Sequence, residues 1–150
     1  MTHQVVTGKI ANIGERTRKS GKTHIDHLVI VDDTEQSVAF SNVVCENEMA
    51  SILKTGDDIT IGVASVKKFL GGSYSVVTAL KNAQIVVRNA EYTFAPAIFM
   101  LIAILLIAVL SRGLAIPLVL IVGFYLYTTY NREKSLNDLA QETYDSFLKL

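Results

Sequence analysis

Residues 49–63 read MASILKTGDDITIGV. Met49, Ile52 and Leu53 recur at i, i+3, i+4, the spacing of one helical face. Gly56 follows where a helix C-terminal cap belongs. Ile59, Ile61 and Val63 then alternate, the period of a strand with one buried side. A short helix that hands over to a strand at Gly56 is expected here.

Three strands are expected before this helix. Residues 5–12 (VVTGKIAN) place Val6, Gly8 and Ile10 on one face, and Gly8 inside a strand signals a bulge or sharp bend. Residues 15–22 (ERTRKSGK) form a polar, basic loop. Residues 23–31 (THIDHLVIV) are a second strand, 32–35 (DDTE) a turn, and 36–41 (QSVAFS) a third strand with Val38 and Phe40 inward. After the fourth strand comes a Gly-Gly loop, 67–73 (KKFLGGS), and a fifth strand, 74–80 (YSVVTAL). Residues 83–88 (AQIVVR) either prolong the fifth or make a short sixth.

The order β-β-β-α-β-β resembles the OB-fold, a partly open five-stranded Greek-key barrel. Leu53, Gly56 and Asp57 resemble the L-x-x-G-D stretch that enters the fourth strand in that superfamily, and Gly8 suits a first strand that curves between two sheets. The layout also resembles NfeD-like membrane proteins, with barrel and apolar segment in reversed order. The fold expected is mainly β: an OB-like barrel over residues 1–90, a transmembrane helical hairpin over 91–130 and an amphipathic tail over 131–150.

The hairpin expectation comes from two uncharged runs. Residues 94–110 read FAPAIFMLIAILLIAVL and 114–130 read LAIPLVLIVGFYLYTTY, separated by Ser111, Arg112 and Gly113. Each run is near the lower length limit for a spanning helix. Pro96 and Pro117 fall in the first turns, where a missing N–H costs little. Lys81, Arg88, Arg132 and Lys134 flank the pair, against Arg112 alone in the loop, which expects both termini on the cytoplasmic side. An integral protein of a bacterial inner membrane is the resulting expectation. In the tail, Ser135 to Asp138 resembles a capping box. Leu136, Leu139, Ala140, Phe147 and Leu150 recur near helical spacing, so this helix lies on a bilayer, on the barrel or on a partner.

Catalytic patterns are missing from the sequence. It lacks the G-x-S-x-G, Walker A, dinucleotide and zinc spacings, so no enzyme, metal or cofactor is expected. His24 and His27 form H-x-x-H, but strand alternation sends i and i+3 to opposite faces. Asp32/Asp33 and Asp57/Asp58 sit at turns, where Asp is favoured for its local hydrogen bonds. Cys45 is the one cysteine and lies in no reactive motif.

The remaining constellation is basic. In an OB-like barrel the loops after the first and fourth strands flank the binding face. The first carries Arg16, Arg18, Lys19 and Lys22; the second carries Lys67, Lys68 and Phe69, followed by Tyr74. Cations with an adjacent aromatic suit single-stranded nucleic acid. Against this, residues 1–90 hold ten Lys/Arg and nine Asp/Glu, a balance unlike that of a strongly basic binder. The reading favoured on sequence is a non-enzymatic, membrane-anchored adaptor with a protein partner or a second copy of itself. The alternative is a tethered binder of single-stranded nucleic acid through loops 15–22 and 67–73. Anionic lipid headgroups are a third possible contact for these loops.

Overall fold

The computed structural model describes residues 2–67, 71–89, 102, 103, 105, 106 and 116–149. Its strands are β1 (Thr2–Ile13), β2 (Arg16–Lys19), β3 (Lys22–Val31), β4 (Ser37–Glu46), β5 (Asp58–Lys67), β6 (Ser73–Lys81) and β7 (Val86–Arg88). A short helix, α1 (Asn47–Ile52), lies between β4 and β5, and a long one, α2 (Ile116–Lys149), ends the chain. Residues 102, 103, 105 and 106 are also helical.

The stretch 49–63 folds largely as its periodicity demands. Met49, Ala50 and Leu53 are buried, and Ile59, Ile61 and Val63 enter the same core from β5. Gly56 does not cap α1. The helix stops at Ile52, Leu53 is extended, and Gly56 takes a left-handed φ of 92° in the turn that follows. That turn is clamped to β1: Gly56 N–H donates to Ile10 O (2.8 Å) and Ile10 N–H donates to Asp57 O (3.0 Å).

Closure depends on β1. Its first part, from Thr2 to Lys9, pairs with β5, and its second, from Lys9 to Ile13, pairs with β3. Gly8 lies at the changeover. A β-carbon there would stand 2.2 Å from the Val31 carbonyl oxygen, so only glycine lets the two backbones pass. β3 pairs with β4, β4 pairs in parallel with β6, and β6 returns to β5. The circuit β1-β3-β4-β6-β5-β1 is thus a closed five-stranded barrel, with β2 and β7 added at its margins. Val6, Ile10, Ile25, Leu28, Ile61 and Leu80 fill it.

Two strands break alternation together. On β3 the buried positions are Thr23 and Ile25, then Leu28 and Ile30. On β4 the partly buried Val38 and Phe40 are followed by the buried Val43 and Cys45. Both skip two residues at one ladder level, Asp26–His27 against Ser41–Asn42, where Asn42 has a φ of 50°. His24 and His27 are consequently both exposed, contrary to simple alternation.

Outside the barrel core, Gly62, Ala64 and Val66 of β5 and Val76 and Ala79 of β6 are also buried. The end of α2 lies on this outer face. Its buried residues Ala140, Thr143 and Phe147 have 3- and 4-residue spacing, one helical stripe. Lys81 Nζ donates to Phe147 O (3.0 Å), and Arg88 donates to Gln141 Oε1. The chain divides into two compact units: Met1–Ala90 with Asn137–Leu150, and Glu91–Leu136.

The transmembrane hairpin requires correction. Among the described residues, no helix is long and apolar enough to cross a membrane. The run 114–130 is not a separate span. From Ile116 it continues without a break through Arg132, Glu133, Lys134 and Asp138 to Lys149, and the tyrosines, threonines and charges lower its hydropathy. No Gly or Pro follows Gly123, so nothing in the sequence stops that helix at Tyr130 or restarts it at Ser135. The run 94–110 lies outside the described residues except for Ile102, Ala103, Leu105 and Leu106. The expected integral-membrane location, with both termini cytoplasmic, loses its basis with the hairpin.

Candidate functional site

The basic stretch 15–22 is an ordered hairpin. Ser20 and Gly21, with φ of 51° and 79°, form the two-residue turn joining β2 to β3. Arg16 is level with Ile25, Thr17 with His24, Arg18 with Thr23 and Lys19 with Lys22. Opposed residues in an antiparallel ladder project to the same side. The hairpin therefore sorts its cations: Arg16 and Arg18 share the side of the buried Ile25 and Thr23, whereas Lys19 and Lys22 share the outer side with His24.

Arg16 has a structural task. Its guanidinium donates to Ala50 O (2.9 Å) and Leu53 O (2.7 Å), satisfying carbonyls at the open end of α1. Lys19 and Lys22 instead line a cleft of about 540 Å³ with Ser20, His24, Asp26, Asn42, Val44 and Tyr74. The cleft crosses the outer face of β3, β4 and the start of β6. Tyr74 stands at the foot of the β5–β6 hairpin, opposite Val66, and Lys67 is exposed one step beyond, opposite Ser73. Lys68 and Phe69 lie outside the described residues.

Of the eight residues singled out from sequence, Lys19, Lys22 and Tyr74 are thus brought together, and Arg16 is diverted. Asp26, His24, Asn42 and Val44 were missed. Their signal was present only as ladder register, since β4 positions 42 and 44 become neighbours of β3 once the strands are paired.

The other titratable candidates are occupied. Burial pushes the Cys45 thiol up to about 12, and its sulfur lies 3.9 Å from Thr23 O, so it is no nucleophile at neutral pH. Asp32 Oδ1 accepts from Thr34 Oγ1 (2.7 Å), Thr34 N (2.9 Å) and Gln36 N (2.9 Å), which holds its carboxyl below the usual range and closes the β3–β4 turn. His27 Nε2 lies 3.3 Å from Asn12 Nδ2. Among the described residues no group of three or more His, Cys, Asp or Glu side chains could hold a metal.

The strand circuit, the parallel β4–β6 contact and a helix entering between β4 and β5 decide the fold. The domain is an OB-type barrel. No family model matches the chain, and no curated protein matches it. Among solved structures it is similar to the second single-stranded DNA-binding protein of Mycobacterium smegmatis, at 16% identity and a TM-score of 0.40, covering 60% of this chain and 98% of that one. It is similar also to the mitochondrial single-stranded DNA-binding protein Rim1 of S. cerevisiae, at 10% identity and a TM-score of 0.38, covering 60% and 97%. Likeness at this level adds nothing to the strand pairing.

Proposed function

We propose that this OB-type domain binds single-stranded nucleic acid across the outer face of β3, β4 and β6, without chemistry of its own. One observation carries the reading: a single cleft holds two lysines from the first hairpin and a tyrosine from the foot of the second. Lys19 and Lys22 supply phosphate contacts, and Tyr74 supplies a ring on which a base stacks. Strands flanked by these two hairpins are where OB-folds present their ligand face. Between the partner classes left open by the sequence, this set favours a polyanion with aromatic bases over a protein.

The near-neutral balance of residues 1–90 sets the expected strength. Two lysines that share their cleft with the carboxylate of Asp26 give moderate affinity with a shallow salt dependence. For single strands, log K falls with log salt by about 0.7 per phosphate neutralised.

The test is a titration of the full chain into labelled single-stranded oligonucleotide at two salt concentrations. Micromolar binding that weakens with salt, and is abolished by Lys19→Glu with Lys22→Glu, is the expected result. Binding that ignores both lysines would refute the face. Absence of binding at low salt would return the barrel to the class of protein-interaction modules.

A further inference from the structure

We infer that Asp26 and Asn42 form a base-reading end of this face and select bases that carry an exocyclic amino group, cytosine foremost. The inference rests on the nucleic-acid reading above and extends it to the identity of the bases.

The cleft has two chemically different ends. Lys22, His24 and Asp26 alternate along the outer side of β3 and are not part of the buried core. At about 3.3 Å per residue, Lys22 and Asp26 are separated by about 13 Å. Lys19 is paired with Lys22, so both ammonium groups gather at one end. At the other end, Asp26 falls opposite Asn42, between the Ile25–Val43 and His27–Ser41 pairs. Asp26 and Asn42 are exposed and line the same cleft as Tyr74. The parallel pairs Val43–Ser75 and Val44–Val76 put Tyr74 level with Asn42 on the adjacent strand. The break in alternation shared by β3 and β4 occurs here, and the left-handed backbone of Asn42 belongs to it.

A carboxylate in a phosphate cleft is electrostatically adverse unless it meets a donor. An ionised Asp only accepts hydrogen bonds. Next to a ring that stacks a base, the matching donor is an exocyclic amine, and carboxylate acceptance from cytosine N4 is an established pairing. The Asn42 amide both donates and accepts, so it suits the ring nitrogen or carbonyl beside that amine. Thymine would present its O4 acceptor to the carboxylate instead. The lysine end then holds phosphate while the Asp26–Asn42–Tyr74 end holds the base.

The experiment uses the full chain at pH 7.5 with labelled dC and dT oligonucleotides of equal length. Wild type should prefer dC by roughly tenfold. Asp26→Ala should weaken dC while leaving dT unchanged or tighter, bringing the ratio near one. Asn42→Gly, which changes no charge and keeps the left-handed backbone of that position, should also lower the ratio. Circular dichroism of both variants should match wild type, since both side chains are exposed. If Asp26→Ala tightens dC and dT in parallel, Asp26 is only a repulsive charge and the inference is overturned. Equal wild-type affinities overturn it too, with the nucleic-acid reading intact. If neither oligonucleotide binds at low salt, both readings fall.

Discussion

His3 Nε2 lies 3.1 Å from Thr143 Oγ1, joining the first strand to the last helix across 140 residues of chain. Thr143 spends its own proton on Leu139 O (2.6 Å), so the imidazole Nε2–H is the donor. Thr78 Oγ1 lies 3.3 Å from the same nitrogen. Gly62 makes this meeting possible, since a β-carbon there would stand 2.6 Å from both Thr143 Cγ2 and Thr78 Oγ1.

This contact has a pH dependence with a defined sign. Partial burial under the helix lowers the His3 pKa from 6.5, and the negative charge of Glu142 opposes that only in part. The unfolded chain therefore binds a proton more readily than the folded one. His3 favours the folded state fully above pH 6.5, and that contribution is lost as pH falls through the lowered folded value. Thermal unfolding of wild type and His3→Gln at pH 7.5 and 5.5 should show the wild type losing more stability on acidification than the variant. Equal losses would remove His3 from the account.

Phe147 is the largest fully buried side chain of the same helix end. It is 1% exposed yet does not belong to the cluster that fills the barrel. Phe147→Ala should cost about 3 kcal/mol of docking free energy. Hydrogen exchange will localise the effect: amides of residues 137–149 should lose protection while those of β1, β3 and β5 keep theirs. Uniform loss across the barrel would mean that the helix is an integral part of one cooperative unit.

The barrel was legible because its elements obey simple periods. Residues 49–63 display the change from helical to strand period, and Gly8 announces the bend that closes the circuit. The face was only half legible, because its members Asn42 and Asp26 become neighbours through strand register and through a break in alternation that local pattern does not display. The apolar run 114–130 misled for a related reason. Hydropathy read over residues 114–130 stops where the window stops, whereas the helix carries on to Lys149 because no residue in that interval breaks it.

Gly8 yields a prediction about the fold itself. Besides the Val31 oxygen at 2.2 Å, an added β-carbon would meet the Val31 carbonyl carbon at 2.8 Å and Asp32 Cα at 2.9 Å. The Val31 atoms belong to backbone fixed in the β1–β3 and β3–β4 ladders, and Asp32 Cα to the turn held by Asp32 N–H donating to Gln36 O (3.0 Å), so no side chain can swing aside. Gly8→Ala should destabilise the domain by about 3 kcal/mol or more. Urea unfolding should show a lower midpoint. A change under about 1 kcal/mol would mean that β1 can shift its crossing.

Three cations of the first hairpin, Arg16, Lys19 and Lys22, should separate into two phenotypes. Arg16→Ala removes two charge-assisted hydrogen bonds to the carbonyls of Ala50 and Leu53, at a cost of about 2–3 kcal/mol of stability. Oligonucleotide affinity should change little, because Arg16 serves α1 rather than the cleft. Lys19→Ala should reverse the pattern, with stability within about 0.5 kcal/mol of wild type and affinity reduced, and Lys22→Ala should reduce affinity too. Each should also flatten the salt dependence, by up to about 0.7 in the log–log slope if it neutralises one phosphate. Measuring urea midpoints and binding slopes on the same three proteins checks the assignment. If Arg16→Ala weakened binding as much as the lysine variants at unchanged stability, charge on this hairpin would act collectively, and the sorting of its two sides would have no functional meaning.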